Sequence, residues 1–482
     1  MSEADIRNLA DEADEWTPGE NSKPRRLIRG SDIEIAERVI ADLQSQRGTV
    51  VFCDGTFWYY GDTHWRAIDG AELRCAVYPY DGVGYGDKGV VKLGKPRVDS
   101  VINEMGAMLT RKDFFAERPE GINCASGFIQ FAQDGMPTLE PHDPEHRCRH
   151  VLKGRWLYHN PFYQLFFDVS LLQRLIEGVF RGDDDADQKI ALVQEIAGAA
   201  ALGHGPKLRQ PKAVILWGPT AENGKSQILD LFRGLLPPSA IASIPAGKMG
   251  DERFVPGLIG KHLNAADELS SAAAIASDTF KNVVTGEPVT GRDVYRSAVT
   301  FRAVAQHVFC TNTLPSFAGG MDRGVQRRLL VIPFNHVIPK AERVERIGQI
   351  IGEEEADVLL AWTVEGASRL IRQRDFTVPP SSKKVLEGWL SIADPVVAWA
   401  EVYVTAVDPQ SAEWDEARMK SSKAYDHFKH FACEEGFNKD RLPALNGFVQ
   451  RLTAHRPTIK IKHTNSGNWL AGIKIEGYDH TG

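Results

Sequence analysis

The sequence predicts an α/β protein built around a mainly parallel sheet, and three observations support this fold class. Strand-like and helix-like segments alternate from residue 211 to residue 335, which is typical of a parallel sheet connected by helices. The chain has 482 residues, enough for roughly three domains of about 150 residues each. The composition, 43% apolar and 25% charged, is that of an ordinary globular protein.

The charge balance excludes a protein that is coated uniformly in positive charge. Fifty-seven Lys and Arg residues against 64 Asp and Glu residues give a net charge of −7. Basic residues that gather on one surface remain compatible with nucleic-acid binding. An acidic start and a basic C-terminal region therefore predict an acidic exterior around a basic channel, with affinity for nucleic acid that falls steeply as salt rises.

Cysteine usage and hydropathy favour a cytoplasmic protein without a membrane partner. The N-terminus is acidic and has no apolar targeting segment, and no run of about 18 apolar residues occurs. The cysteines are scattered and form no CxxC pair, which suits a reducing compartment. They are Cys53, Cys75, Cys124, Cys148, Cys310 and Cys433.

The region before residue 160 is predicted to contain a polar, disordered arm over 1–30 and an α+β accessory domain over 31–160. Ser31 is placed to cap a helix with apolar positions at helical spacing. The stretch 49–68 predicts a two-stranded hairpin around Asp54 and Gly55. Short strands and loops are expected from 122 to 160. The aromatic side chains of the hairpin are expected to pack in its core rather than stack on bases; they are Phe57, Trp58, Tyr59, Tyr60 and Trp65.

Residues 161–205 are predicted to form a helical segment that serves oligomerisation. Two helices are expected within 161–203, separated by the polar turn 181–185. The three aspartates Asp183, Asp184 and Asp185 are interpreted as solvated charge.

The most informative segment is KAVILWGPTAENGKSQILDLF, residues 212–232, which joins an apolar strand to a glycine-containing loop and an amphipathic helix. This order is typical of a phosphate-binding loop. Lys225 is expected to pair with the β- and γ-phosphates, and the Ser226 hydroxyl to ligate Mg²⁺. The residues predicted to bind the nucleotide are Gly218, Pro219, Thr220, Ala221, Glu222, Asn223, Gly224, Lys225, Ser226 and Gln227.

The spacing of this loop departs from the usual pattern. Five residues separate Gly218 from Gly224, whereas four is usual. Two explanations are open. The loop bulges by one residue, or Pro219 occupies the position of the first glycine.

Polar residues with complementary chemistry end the following strands. Asp267 is expected to hold Mg²⁺ through water, and Glu268 to polarise the water that attacks the phosphate. Asn312 follows another apolar strand, where its side-chain amide can hold that water. Arg327 and Arg328 precede a further strand, and in a ring one of them can reach the neighbour's γ-phosphate as an arginine finger.

These segments match a known family in order and spacing. Gly218–Ser226, Asn264–Glu268, Lys281–Tyr295 and Cys310–Pro315 resemble motifs A, B, B′ and C of superfamily 3 helicases, in particular the phage and plasmid primase–helicase branch. Residues 122–147 and 394–404 are similar to parts that flank the motor in this family. The resemblance implies an AAA+-like P-loop core over 206–340, a hexameric ring, and ATP-driven 3′-to-5′ movement on single-stranded DNA.

The resemblance also implies a DNA-contacting hairpin over residues 286–302. Arg292 and Arg296 are the predicted DNA contacts, with Tyr295 in support. The family often carries lysine or histidine at the tip of this hairpin, and neither occurs between 282 and 306 in this chain.

The last part of the chain is predicted to contain a helical segment and linker over 341–384, with 378–384 as the linker, and a winged-helix-like domain over 385–482. Helices are expected over 418–435 and 443–454, followed by strands over 458–463 and 469–475. Whether this domain contacts DNA or protein is left open. Within residues 439–475, the basic residues, set against a single acid at Asp440, are Lys439, Arg441, Arg451, Arg456, Lys460, Lys462 and Lys474.

Two other interpretations are weaker. His142, His146, Cys148 and His150 offer metal-binding atoms, but their spacing matches no common zinc site, so loop histidines are expected. The part of the chain before residue 122 offers no carboxylate cluster suited to a polymerising primase, which predicts a helicase without an attached primase domain.

Together these observations predict an ATP-hydrolysing DNA helicase for phage or mobile-element replication in the cytoplasm of a bacterial host. The expected cofactors are ATP and Mg²⁺, and the expected partners are single-stranded and forked DNA, further copies of the chain, and a separate primase or polymerase. The alternative is a replication initiator that binds an origin and uses ATP as an assembly switch with weak unwinding. A P-loop enzyme acting on a small molecule is disfavoured by the Lys281–Pro315 motifs.

Overall fold

The computed structural model describes residues 26–157, 163–203, 205–267, 275–292, 298–318, 321–414, 416–435, 442–464 and 467–476. The chain divides into two compact units. The first consists of Met1–Pro119 with Pro141–Val151, and the second of Glu120–Glu140 with Leu152–Gly482. The predicted accessory region, 31–160, is thus divided between the two units.

The first unit packs three helices with antiparallel strands. The first helix begins after the predicted cap, because the Ser31 hydroxyl accepts a hydrogen bond from the backbone N–H of Glu34. The elements are α1 (Asp32–Arg47), β1 (Val50–Cys53), β2 (Thr56–Gly61), β3 (His64–Ile68), α2 (Gly70–Val77), β4 (Gly84–Tyr85), β5 (Gly89–Val90) and α3 (Lys95–Leu109).

The predicted hairpin around Asp54 and Gly55 is present, but it is part of a three-stranded meander in the order β1-β2-β3. The prediction of two strands was incomplete because Asp62, at positive φ, makes a second tight turn inside the apolar run. The packing interpretation of the aromatic residues is confirmed. Phe57 and Trp65 are each 3% exposed, and the ring of Trp58 lies 4.9 Å from that of Phe115, centroid to centroid.

The second unit contains the alternating strands and helices. Its first elements are β6 (Gly121–Cys124), β7 (Gly127–Phe131), β8 (Pro137–Glu140), α4 (Tyr163–Asp168), α5 (Leu171–Val179), α6 (Ala186–Leu202), β9 (Ala213–Trp217), α7 (Lys225–Leu235), β10 (Ile241–Ala242), β11 (Leu263–Ala266), β12 (Ile275–Ala276) and α8 (Ser277–Val284). These are followed by β13 (Pro288–Gly291), β14 (Val299–Arg302), β15 (Gln306–Thr311), β16 (Phe317–Ala318), α9 (Arg323–Gln326), β17 (Leu329–Pro333), α10 (Ile347–Glu354), α11 (Ala356–Gln373) and α12 (Pro380–Ala393).

Five of these strands form one sheet in the order β10-β11-β15-β9-β17, and every pairing is parallel. The prediction of a mainly parallel α/β sheet is confirmed. Alternate residues of its strands point into apolar clusters on the two faces, with Val214 and Leu216 in one cluster and Ala213 and Ile215 in the other. Because β15 lies between β9 and β11, the loops that follow these three strands meet at one edge of the sheet.

Two segments differ from their predicted secondary structure. The described part of 161–203 forms three helices rather than two, because the Ser170 hydroxyl caps a new helix by accepting from the N–H of Gln173. Residues 380–384, predicted as part of a linker, form the first turn of α12 instead. Pro380 suits the start of a helix, where its missing N–H leaves no helical hydrogen bond unmade.

The interpretation of the turn between α5 and α6 as solvated charge is wrong for Asp183 and Asp185. Their side chains are 10% and 9% exposed, and their carboxylates lie 2.7 Å and 3.6 Å from the ammonium of the fully buried Lys189. The same ammonium donates to the carbonyl of Pro333 at 3.0 Å, and Asn335 donates to Asp183 at 3.0 Å. The turn therefore fastens the helical segment to the end of β17.

The C-terminal elements follow one another in the predicted order, and the winged-helix assignment stays a prediction. The elements are α13 (Pro395–Tyr403), β18 (Val404–Ala406), β19 (Arg418–Lys420), α14 (Ser421–Glu434), α15 (Leu445–His455), β20 (Lys460–Thr464), β21 (Gly467–Ala471) and β22 (Ile473–Ile475). The strands form a sheet in the order β19-β21-β20 and a separate pair of β18 and β22.

Among the described residues, no helix is long and apolar enough to cross a membrane.

Replacing Lys189 with methionine should destabilise the second unit strongly. The substitution keeps the volume but leaves two buried carboxylates without their counter-charge, so we expect the free energy of unfolding to fall by about 3 kcal/mol. Urea unfolding followed by tryptophan fluorescence measures the loss. Adding Asp183→Asn should recover part of it. The matched control is Lys423→Met on the exposed face of α14, and equal effects of the two single substitutions would contradict the role assigned to Lys189.

Candidate nucleotide-binding site

The loop after β9 needs glycine at both of its ends. A Cβ on Gly218 would overlap the side-chain amide of Asn223 and would lie 2.8 Å from the carbonyl oxygen of Phe334. Gly224 has φ +84°, and a Cβ there would overlap the side chain of Val179. Because α7 begins at the next residue, the chain turns at Gly224 directly into the helix.

The unusual length of the loop is accommodated by a bulge. Gly218 stays at the end of β9, where its N–H donates to the carbonyl of Thr311 at 3.3 Å. Glu222 adopts a left-handed conformation with φ +65°, which is uncommon for a residue other than glycine. The bulge explanation therefore fits the structure better than a shift of the first-glycine position to Pro219.

The Lys225 ammonium lies at the centre of the loop. It donates to the carbonyl oxygens of Gly218 and Thr220, each at 3.1 Å, and to the side-chain oxygen of Asn223 at 2.8 Å. Lys225 is 7% exposed, and this burial lowers the pKa of its ammonium below the ordinary value. Asn223 is fixed in turn, since its amide donates to Thr220 at 2.9 Å and to Phe334 at 3.3 Å. The loop thus presents a cation beside the N-terminus of α7.

Asp267 follows β11 directly and faces the helix that begins at the loop. Its carboxylate is half-exposed. Oδ2 accepts a charge-assisted hydrogen bond from Nη1 of Arg233, a residue of α7, at 3.0 Å. Arg233 also contacts Asp230 at 3.0 Å and the carbonyl of Ala265 at 3.1 Å. The arginine therefore holds the end of β11 against α7, on whose first turn Ser226 lies. Glu268 lies outside the described residues.

The end of β15 lies next to the same helix. The thiol of Cys310 donates to the carbonyl of Lys225 at 3.8 Å, and burial together with the Asp267 charge raises the pKa of this thiol to about 12. The thiol is therefore protonated and serves packing rather than chemistry. Asn312, two residues further on, is exposed just beyond the strand.

The sheet brings some predicted site residues together and separates others. Lys225, Asp267 and Asn312 share the edge formed by the carboxyl ends of β9, β11 and β15. Arg327 and Arg328 lie at the opposite edge, because the N–H of Ala213 donates to the carbonyl of Arg328 at the start of β9. Five residues of β9 separate that point from Gly218, or about 16 Å along a strand. That distance exceeds the length of an arginine side chain.

The predicted DNA-contacting segment contains a hairpin. Strands β13 and β14 pair antiparallel from Pro288 opposite Arg302 to Gly291 opposite Val299. Arg292 follows β13 directly and is exposed, and its backbone N–H donates to the carbonyl of Glu252 at 2.9 Å. Tyr295 and Arg296 lie outside the described residues.

The basic C-terminal surface is partly neutralised by ion pairs. Arg451 lies 3.6 Å from Asp394, Arg456 lies 3.0 Å from Glu401, and Lys474 lies 2.6 Å from Glu413. Lys460 and Lys462 lie on β20, whose five residues are all exposed at the edge of its sheet. Lys439 and Arg441 lie outside the described residues.

A metal cluster of protein ligands is not found in the described parts of the chain. No group of three or more His, Cys, Asp or Glu side chains there is arranged to hold a metal ion. His142, His146, Cys148 and His150 thus form no such group with their described neighbours, and burial raises the pKa of the Cys148 thiol.

A cavity of about 490 Å³ opens beside the loop and was not predicted from the sequence. Gly224 and Gln227 line it on one side, and apolar residues of α5 and of the segment after β17 line it on the other. No sequence signal could reveal it, because its walls come from three separate segments of the chain, within 174–181, 222–227 and 338–347. Arg233 was also missed, although its spacing of three residues from Asp230 on one helix face was a usable signal. The apolar lining is Leu175, Ile338, Val344 and Ile347.

Residues 216–328 match the model of a family of unknown function, DUF5906. This range contains every residue that the sequence assigns to the nucleotide site and to the DNA-contacting hairpin. No curated protein matches the chain.

Solved structures of the C-terminal region of NrS-1 are similar to this chain at low identity. The A form apo structure of that region shares 14% identity with a TM-score of 0.46, over 90% of this chain and 97% of that one. An apo structure of its residues 305–718 shares 13% identity with a TM-score of 0.44, again over 90% and 97%. A second A form apo structure shares 10% identity with a TM-score of 0.43, over 92% and 100%.

Substituting Gly224 with alanine should distort the loop and destabilise the protein. The left-handed backbone and the overlap with Val179 together predict a loss of about 1–2 kcal/mol in the free energy of unfolding. The matched control is Gly247→Ala, where an added Cβ meets no atom within 4 Å. Denaturant unfolding of both variants checks the prediction, and equal stability of the two would contradict it.

Proposed function

We propose that this protein is an ATP-hydrolysing DNA helicase that serves the replication of phage or mobile-element DNA. The observation that carries the proposal is the position of Lys225, held by loop oxygens at the start of α7 and beside the strand ends that bear Asp267 and Asn312. The resemblance to superfamily 3 helicases supplies the substrate class. The parallel strand order supports the AAA+-like core, because it puts the loop after β9 next to the carboxyl ends of β11 and β15.

The loop has the physical properties of a triphosphate site. Backbone N–H groups at the start of α7 and the positive end of its dipole favour an anion at this point. The Lys225 ammonium now donates to Gly218, Thr220 and Asn223. Phosphate oxygens can replace these acceptors with charge-assisted hydrogen bonds, which are stronger than bonds to neutral carbonyls.

The donor set beside the loop fits Mg²⁺. The Ser226 hydroxyl would be a direct oxygen ligand and the Asp267 carboxylate would hold the ion through water, which fits Mg²⁺ because this ion commonly keeps several waters and takes one or two protein oxygens together with phosphates. When bound, the ion would neutralise negative charge on the reacting phosphates. Arg233 orients Asp267 toward α7, Glu268 would take the proton of the attacking water, and Asn312 would position that water.

The ATP site is completed by a second copy of the chain. Arg327 and Arg328 lie about 16 Å along the sheet from the loop of their own chain, which is too far for them to reach it, and an arginine at this edge suits contact with a neighbour's γ-phosphate. A hexameric ring is the assembly that the family resemblance implies. Hydrolysis would shift the β13–β14 hairpin, with Arg292, Tyr295 and Arg296, along single-stranded DNA. The C-terminal domain, with a winged-helix-like arrangement, would contact duplex DNA or a separate primase or polymerase.

The wild-type protein should hydrolyse ATP faster in the presence of single-stranded DNA and should unwind a forked duplex. Glu268→Gln should keep nucleotide binding but lose at least about 100-fold in hydrolysis rate, because the general base is gone. The matched control is Glu354→Gln, an exposed position at the end of α10. ATP turnover that ignores single-stranded DNA would contradict a motor. Sequence-specific duplex binding without unwinding, lost on deletion of 385–482, would favour an initiator instead.

Mixing two inactive variants should restore ATP hydrolysis if the arginines act between subunits. The Lys225→Ala variant has a defective loop but intact arginines. A variant that combines Arg327→Ala and Arg328→Ala has an intact loop but lacks the arginines, so a complete site can form only where the two variants meet. In rings assembled from an equal mixture, roughly a quarter of the interfaces would be complete. Mixing Lys225→Ala with Glu268→Gln is the control, because both defects then lie on the same side of each interface. An inactive first mixture would show that the arginines do not act across the interface.

A further inference from the structure

The nucleotide loop carries an acidic residue at its bulge. Glu222 lies in the lengthened loop between Gly218 and Gly224, and its backbone is left-handed, with φ +65°. A carboxylate three residues before Lys225 is unexpected in a loop that binds phosphates, because like charges repel.

The Glu222 carboxylate is paired with a guanidinium from a distant part of the chain. Nη1 of Arg343 lies 2.6 Å from Oε1, and Nη2 donates to Oε2 at 2.7 Å. This two-point geometry fixes both side chains in orientation as well as distance.

Backbone hydrogen bonds reinforce the connection. The N–H of Ile338 donates to the carbonyl of Glu222 at 3.0 Å, and Nε of Arg343 donates to the carbonyl of Ile338 at 2.8 Å. The bulge is thereby fastened to the segment between β17 and α10. Arg343 and Glu222 also line the cavity that reaches Gly224 and Gln227, so a nucleotide bound at the loop would lie close to the pair.

We infer that Arg343 is a positioning residue of the nucleotide site, which neutralises Glu222 and so permits a triphosphate to bind to the lengthened loop. The inference rests on the proposed nucleotide site. Arg343 acts through Glu222 and not by contact with the nucleotide. It should therefore govern the affinity for ATP, and the rate of the chemical step should change little.

The size of the effect follows from the partial exposure of the pair. The side chain of Glu222 is 57% exposed and that of Arg343 is 30% exposed, so solvent screens their charges. An unpaired carboxylate in the same loop as several phosphate charges should weaken binding about fivefold at low salt. The effect should shrink as salt rises, because added ions screen the repulsion.

Titration calorimetry with a non-hydrolysable ATP analogue and Mg²⁺ tests this inference on the full-length protein. Arg343→Gln should bind about fivefold more weakly at low salt. Glu222→Gln should bind more tightly than wild type, and the double variant should regain the affinity that Arg343→Gln loses. The matched control is Arg346→Gln, since Arg346 is an exposed arginine of the same segment that contacts Gln349 rather than the loop. In ATP turnover, Arg343→Gln should raise KM while kcat stays close to wild type.

Each other outcome overturns the inference. If Arg343→Gln binds as wild type does, the pair has no part in nucleotide affinity. If Arg343→Gln binds weakly and Glu222→Gln does not restore binding, Arg343 contacts the nucleotide directly or supports the fold. If wild type and Lys225→Ala bind the analogue equally, the nucleotide site itself is misplaced. This last result refutes the proposed function and is distinguishable from failure of the Glu222–Arg343 coupling alone.

Discussion

The parallel pairing of β9 with β15 on one side and β17 on the other is the constraint on which the candidate site depends. In this register, Thr311 of β15 and Pro333 of β17 both lie opposite Trp217 of β9. All three strands therefore end at one level, and the loop that begins at Gly218 donates hydrogen bonds to both neighbours, to the carbonyl of Thr311 and to that of Phe334. Phe334 accepts from Asn223, which in turn accepts from Lys225. A shift of either neighbouring strand by one residue would break this chain of contacts.

Several charged side chains of the second unit that lie in or near the candidate site form ion pairs with residues of opposite charge. Lys189 neutralises two aspartates in the interior, Arg233 holds Asp267, and Arg343 holds Glu222. The Lys189 pairs lie at the end of β17, the Arg233 pair joins α7 to the end of β11, and the Arg343 pair joins the loop to the segment after β17. The net charge of −7 therefore describes the candidate site poorly, since Asp267 and Glu222 are each paired with an arginine while the Lys225 ammonium contacts neutral oxygens.

Local patterns in the sequence were sufficient for much of this architecture. The apolar run 213–217, the glycines at 218 and 224, and the cap at Ser31 each act through neighbouring residues, so spacing alone predicts them. The same reasoning could not reveal that Asp183 and Asp185 are buried, because their partner contacts depend on how α6 and β17 come together. The cavity beside Gly224 and the Glu222–Arg343 pair were hidden for the same reason. Pro380 was ambiguous, since proline suits a linker and the first turn of a helix equally well.

Strand β17 runs between two groups of residues that have roles in the proposed reaction. At its start lie Arg327 and Arg328, and at its end the backbone of Phe334 contacts both Trp217 and Asn223. At this same end, Lys189 donates a hydrogen bond to the carbonyl of Pro333, and Asn335 donates one to Asp183. An extended strand cannot shorten along its axis, so β17 sets a fixed separation between the loop at one end and the two arginines at the other. In the proposed ring, the arginines that serve one site would therefore be held at a set distance from the next site.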